Sequence, residues 1–288
     1  MADLPARVGV LGGGRMGAGI AHAFLVSGSA VAVVERDDEQ VTAARERVLT
    51  AAQVSLDRGA ITESLETLAA RLELGTDDAL FDECELVIEA VPEDYALKAA
   101  SLRRIEDRVG TEVPIASNTS SISIDSLAAE LRFPQRFLGL HFFNPVPASQ
   151  LVEVVVGDAT EPGIVDAAQG WVAALGKTAV TVRDSPGFAS SRLGLVIGLE
   201  AIRMLEEGVA SADDIDAAMV LGYRYPVGPL RLADIVGLDV RLGIAEYLHA
   251  QLGERFAPPQ LLRDKVAAGE LGRKTGQGFF SWTESGQA

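Results

Sequence analysis

Three histidines, His22, His141 and His249, are the side chains of this chain best suited to exchanging a proton near neutral pH. Their settings differ. His22 lies in an Ala-rich helical stretch and His249 near the end of a C-terminal helix, where a favourable dipole contact accounts for it. His141 ends the strand-like run Phe137-Leu138-Gly139-Leu140 and is followed by the loop sequence Phe142-Phe143-Asn144-Pro145-Val146-Pro147. Ligand crevices of open α/β sheets form at such carboxyl ends. Glu153 is the lone charge in the next apolar run, Leu151-Val152-Glu153-Val154-Val155-Val156, which is costly unless it is paired. If the two runs form an antiparallel pair about a loop centred on Pro147, His141 stands opposite Glu153. A carboxylate on one ring nitrogen fixes the tautomer and stabilises the imidazolium, an arrangement suited to a general base. The plainer alternative is an exposed strand glutamate beside a core histidine.

A second constellation points to a dinucleotide. Val8-Gly9-Val10-Leu11 leads into Gly12-Gly13-Gly14-Arg15-Met16-Gly17 and then an Ala-rich helix, so the G-x-G-x-x-G pattern has its strand before it and its helix after it. Gly12 permits the tight turn, Gly14 lets backbone amides approach a pyrophosphate, and Gly17 allows close helix packing. Glu35, after the second strand, is placed for both ribose hydroxyls, and its charge would repel a 2′-phosphate. The expected cofactor is therefore NAD, with Arg36 next door keeping NADP as the alternative. Ser117 closes the run Pro114-Ile115-Ala116 at another carboxyl end, where it could bond a substrate oxygen or simply cap a loop.

Positioning these residues requires a sheet. Short β-branched runs alternate with helical stretches up to about Asp184, the pattern of a parallel sheet covered on both faces. Strands are expected at Val8–Leu11, Val31–Val34, Leu72–Leu74, Leu86–Ile88, Pro114–Ser117, Phe137–His141, Leu151–Val156 and Thr178–Val182. Helices are expected between them, including one over Thr62–Ala70 with Thr62 as N-cap. Beyond Ser185-Pro186-Gly187 the periodicity becomes helical, with Ser211-Ala212-Asp213-Asp214 opening one helix, and only Gly278–Trp282 reads as extended. The reading is an α/β fold: a Rossmann-type, mostly parallel sheet domain over 1–184, then an all-helical domain over 185–288 for substrate binding and dimerisation. So much apolar helix suggests a homodimer, the alternative being a helical domain packed only on itself.

Composition bounds the partners. A net charge of −16 disfavours nucleic acid, which needs a local excess of Lys and Arg. Cys84 is the only cysteine, so an internal disulfide and a multi-cysteine metal site are out, no metal is expected, and a reducing compartment fits. No segment approaches the ~18 uncharged apolar residues of a membrane span, and the N-terminus has no signal-type core, so a soluble cytoplasmic protein is expected.

Taken in order, the glycine turn, Glu89-Ala90-Val91-Pro92-Glu93, Ser117-Asn118-Thr119-Ser120-Ser121, His141-Phe142-Phe143-Asn144-Pro145, Leu151-Val152-Glu153-Val154, Asp184-Ser185-Pro186-Gly187-Phe188 and Leu271-Gly272-Arg273-Lys274-Thr275-Gly276 resemble the 3-hydroxyacyl-CoA dehydrogenase family nearly end to end. The resemblance implies reversible oxidation of an (S)-3-hydroxyacyl-CoA by NAD. His141 would be the base, Glu153 its orienting partner and Ser117 a contact to substrate and nicotinamide. Beside the cofactor contacts of the glycine turn, Arg15 and Met16 among them, it implies contacts from Glu93, Lys98, Asn144 and Lys274; without it, Lys98 and Lys274 would be surface charges. The family carries Asn directly before an Arg after Pro-Gly-Phe, whereas here Ser191 precedes Arg192, a shorter ligand for a substrate oxygen. Arg45, Arg47 and Arg58 are the candidates for the CoA phosphates, Arg58 preferred. Two rival readings are a dehydrogenase of a free hydroxy acid or sugar acid, and a crystallin-like dinucleotide-binding protein without turnover.

Overall fold

Eight short, mostly β-branched runs form one sheet in the order β3-β2-β1-β4-β5-β6-β7-β8. The strands are β1 (Arg7–Leu11), β2 (Ala30–Val34), β3 (Leu72–Gly75), β4 (Leu86–Glu89), β5 (Ile115–Ser117), β6 (Phe137–Phe142), β7 (Leu151–Val156) and β8 (Thr178–Arg183). The first six run parallel, β7 turns back against β6, and β8 follows β7 in parallel. β4, β5 and β6 are buried along their whole length, whereas the edge strand β8 is largely exposed. Continuous apolar runs are what a strand covered on both faces requires. The covering helices are α1 (Arg15–Val26), α2 (Asp38–Asp57), α3 (Leu65–Ala70), α4 (Tyr95–Arg108), α5 (Ile124–Ala128) and α6 (Pro162–Ala174). This is a computed structural model, described here over residues 4–282.

Local chemistry sets the helix starts. Asp37 accepts the Gln40 N–H and Asp94 the Leu97 N–H, while Pro162 supplies a first-turn residue that needs no N–H partner. The N-cap of α3 is Ser64 rather than Thr62. Its hydroxyl accepts the Thr67 N–H at 3.2 Å, three residues on, so the helix begins only at Leu65.

The chain divides into two units, Met1–Ser185 and Pro186–Ala288. The second contains α7 (Ser190–Glu206), α8 (Ala212–Ala217), α9 (Pro229–Val236), α10 (Leu238–Leu252) and α11 (Gln260–Ala267) around a core that includes Leu195, Leu199, Ile202, Leu230, Leu238 and Leu248. Ser211 caps α8 by accepting the Asp214 N–H, and a π turn carries the chain on to Gly222. The segment Gly278–Trp282 is not a strand. It forms only an isolated bridge, because buried Asp234 takes its donors instead: the Phe279 and Phe280 amides and the Trp282 indole, each at 2.9 Å.

Candidate active site

The carboxyl ends of the parallel strands share one edge of the sheet, and the chemistry gathers there. The glycine turn follows β1, Glu35 follows β2, Glu89 ends β4, Ser117 ends β5, and His141 lies one residue from the end of β6. In the turn, Gly12 has φ +95°, which a side chain would strain. A β-carbon on Gly17 would stand 1.7 Å from the Gly12 carbonyl oxygen, so helix and turn meet only through a glycine there. At Gly14 a β-carbon meets nothing within 4 Å. Open space over Gly14, beside the first-turn amides of Arg15 and Met16, fits a phosphate held on a helix N-terminus. Glu35 Oε1 accepts the Gly13 N–H at 2.6 Å, so the acidic residue is fastened to the turn itself.

His141 and Glu153 are paired in the β6–β7 register. Glu153 Oε2 lies 2.8 Å from His141 Nδ1, with both side chains buried. That contact assigns the proton of the neutral ring to Nδ1 and directs proton exchange to Nε2. Phe143 tilts against the imidazole with ring centroids 4.3 Å apart. The other histidines bond elsewhere: His22 Nε2 lies 3.0 Å from the Ser55 hydroxyl and His249 Nε2 is 3.1 Å from Glu254. Burial, and then the Lys177 ammonium, push the His22 pKa down, which holds it neutral.

Lys98 is no surface charge. It is fully buried on α4 and donates to both carboxylate oxygens of Glu89, at 2.8 and 3.0 Å, and to the Val91 carbonyl. Glu93 stands 3.4 Å from the same ammonium. Ser117 is also fully buried, and its hydroxyl donates to Glu89 Oε2 at 2.5 Å while accepting the Thr119 N–H. Toward any further partner Ser117 therefore has only a lone pair to offer. Glu93 Oε1 gathers the Thr119 hydroxyl and the Ser120 and Ser121 amides, which shapes the loop after β5. Burial works to raise the Glu93 carboxyl, but Lys98 and these donors outweigh it, so it lies below its ordinary value.

Two residues of this network were not singled out by sequence reasoning. Glu89 carries a signal akin to the one that marked Glu153, a charge belonging to an apolar strand, though at its end rather than inside it. Asn118 accepts the Phe142 N–H at 2.8 Å and stitches the end of β5 to that of β6.

A cleft of about 490 Å³ opens between α1, α2 and the loop after β6, lined among others by Arg15, Arg47, Thr50, Asn144 and Pro145. Lys177 fastens that loop by donating to the Val146 and Ser149 carbonyls. Arg47 also donates to the Gly13 carbonyl, whereas Arg58 is the exposed C-cap of α2 and is not among the lining residues. In the second unit, Ser191 sits in the first turn of α7, and Lys274 is paired at 2.6 Å with Asp239. Cys84 is buried with its thiol pushed up to about 11, chiefly by desolvation, so it stays protonated.

The family model for the 3-hydroxyacyl-CoA dehydrogenase NAD binding domain matches residues 7–185, and that for the same family's C-terminal domain matches residues 187–282. The chain belongs to the 3-hydroxyacyl-CoA dehydrogenase family. A 3-hydroxybutyryl-CoA dehydrogenase of Mycobacterium tuberculosis is 41% identical over 287 residues, covering 98% of this chain and all of that one. The mitochondrial hydroxyacyl-coenzyme A dehydrogenase of Sus scrofa is 36% identical, covering 96% of this chain and 90% of its own. The crystal structure of (S)-3-hydroxybutyryl-CoA dehydrogenase from Ralstonia eutropha superposes with a TM-score of 0.93 at 40% identity, covering 97% of this chain and 100% of that one. This dehydrogenase family member thus carries an NAD binding domain whose glycine turn has the open face a dinucleotide needs.

Proposed function

We propose that the protein reversibly oxidises an (S)-3-hydroxyacyl-CoA, such as 3-hydroxybutyryl-CoA, to the 3-ketoacyl-CoA. The observation that carries this reading is the buried His141–Glu153 pair, 2.8 Å apart, on the sheet edge that also bears the glycine turn. His141 takes the C3 hydroxyl proton at Nε2, and Glu153 stabilises the imidazolium that results. Bound NAD supplies the hydride acceptor. Ser117, whose hydroxyl donates to Glu89, contacts substrate and nicotinamide through its remaining lone pair, which suits a donor such as the nicotinamide amide. Arg15, Met16 and Gly14 cradle the pyrophosphate and Glu35 takes the ribose. Glu93, Lys98, Asn144 and Lys274 complete the cofactor's surroundings, with Lys98 acting from behind Glu93 and Glu89. Arg58 and Arg47 meet the CoA phosphates, and Ser191 approaches a substrate oxygen.

One assay separates this from its rivals. NADH oxidation is expected with acetoacetyl-CoA, with NADPH or free acetoacetate giving rates lower by ~100-fold or more, the scale of two or more lost ionic contacts. A faster rate with the free acid selects the hydroxy-acid reading, and none with either selects a protein without turnover. The substrate is a CoA thioester; neither nucleic acid nor a membrane is a partner. The single buried thiol supports a cytoplasmic setting, and no helix among the described residues is long and apolar enough to cross a membrane. The second unit, read as the substrate and dimerisation domain, exposes Val209, Leu221 and Tyr223, which supports a homodimer through that unit. Sedimentation at twice the chain mass is the expected result, and a monomer at micromolar concentration would refute it.

A further inference from the structure

Strand β6 outruns β5. Their ladder closes on Ser117 with Gly139, so Leu140, His141 and Phe142 extend past the end of β5 with β7 on their other flank. A buried strand amide facing no acceptor is costly, and Phe142 is 2% exposed. The Asn118 side chain meets that need, because its Oδ1 accepts the Phe142 N–H at 2.8 Å. The partner is a donor, which orients the amide with its oxygen toward β6. By register the backbone of Asn118 would face Leu140, so the side chain reaches two residues further along β6 than the ladder does. Asn118 is itself held from β4, its own N–H donating to the Glu89 carbonyl at 2.8 Å.

This bond lies one residue beyond His141. Glu153 fixes the imidazole from β7, through the ring nitrogen and through the strand register. The flank toward β5 has no strand left at that level, and there the Asn118 side chain takes the place of one. We infer that Asn118 is a positioning residue for the dehydrogenase reaction, holding the backbone at His141 so that Nε2 is presented to the substrate hydroxyl. This rests on the proposed reading of His141 as the base. Asn118 acts through His141 and not on the reacting atoms, so its effect is on geometry. A base displaced by about 1 Å loses on the order of 100-fold in rate. A hydrogen bond whose worth in folding is modest can therefore weigh more heavily in turnover.

Asn118→Leu keeps the size of the side chain and removes the acceptor. With NADH and acetoacetyl-CoA its kcat is expected to fall ~10- to 100-fold, the scale of a misplaced base, while NADH affinity by fluorescence titration stays within about twofold. Asn118→Asp, which retains an acceptor oxygen of the same reach, should recover most of the loss. Ser64→Ala, which removes the N-cap of α3, supplies the comparison of a lowered Tm with kcat unchanged. In the His141→Gln background Asn118→Leu should cost no more than about twofold further, since residues that act as a unit are not additive. The His141 Nδ1 proton, identified by its disappearance from the NMR spectrum in His141→Gln, should give a low-field signal in the parent and in Asn118→Asp, and a weakened or shifted one in Asn118→Leu. Asn118→Ala carries the same expectations should leucine prevent folding. An unchanged kcat in Asn118→Leu, no recovery in Asn118→Asp, or an equal loss in the His141→Gln background overturns the inference and leaves the dehydrogenase reading standing. A parent protein that does not turn over the ketoester sinks that reading instead. The Nδ1 signal then decides by itself, a response to Asn118→Leu supporting the hold on His141 and an unmoved signal overturning it.

Discussion

Replacing His141 with glutamine is expected to lower kcat by ~10³- to 10⁴-fold, the scale of losing a positioned base together with its orienting carboxylate. Glutamine is chosen because its amide N–H still reaches Glu153, so the carboxylate, 1% exposed in β7, keeps a donor and the sheet keeps its register. The variant loses a second nitrogen able to take a proton and return it. NADH affinity, set by the glycine turn and Glu35 on the far side of β4 and β5, should stay within about twofold, as expected for sites that share no contacts. Stopped-flow or steady-state rates with acetoacetyl-CoA, alongside NADH fluorescence titration, measure both quantities. Turnover within tenfold of the parent protein would remove His141 from the mechanism.

The second large effect is on stability and lies at Glu89. Its carboxylate is fully buried, receives two bonds from Lys98 and accepts a hydrogen bond from the Ser117 hydroxyl. Glu89→Gln strips the charge while keeping the shape, which leaves the fully buried ammonium with Glu93 at 3.4 Å as its remaining counter-ion among the described residues. Breaking a buried pair from one side costs about 3 kcal/mol or more, because the survivor remains charged and poorly solvated. The expectation is a fall of that size in the unfolding free energy from urea titration, and a Tm lower by roughly 5–10 °C for a chain of this length. The double variant Glu89→Gln with Lys98→Met should recover most of the loss, since removing both charges removes the cause. A single variant as stable as the parent, or a double variant no better than the single, would show that the pair does not hold the β4–α4 connection together.

The network around Glu89 also gives Ser117 a defined chemical character. Its hydroxyl hydrogen points to Glu89, so the oxygen is oriented as an acceptor before any ligand arrives. Glu93 arranges the next three residues in the same way, by drawing the Thr119 hydroxyl and the Ser120 and Ser121 amides to one oxygen. Preorganisation of this kind removes reorganisation from the reacting step.

Much of the architecture is written in local periodicity. Alternation of apolar runs with helical stretches placed all eight strands within a residue or two, because the inward direction of a side chain repeats every two residues in a strand and every three to four in a helix. The glycine turn was legible for a similar reason: its steric demands fall on backbone positions only a few residues apart. So was the His141–Glu153 register, which follows once two apolar runs with a short connection are taken as neighbours and the lone charge among them must find a partner.

Tertiary structure alone decided the fate of the long cations. By sequence Lys98, Arg47, Arg58 and Arg241 are equivalent polar positions on helices, yet one is locked against Glu89, one lines the cleft, one faces solvent and one is buried on α10. A side chain of four or five bonds reaches across several ångströms, so its surroundings depend on which elements pack beside it rather than on its neighbours in the chain. The glycine at position 194 illustrates this. Only the packing of α10 on α7 turns the absence of a side chain there into room for a guanidinium.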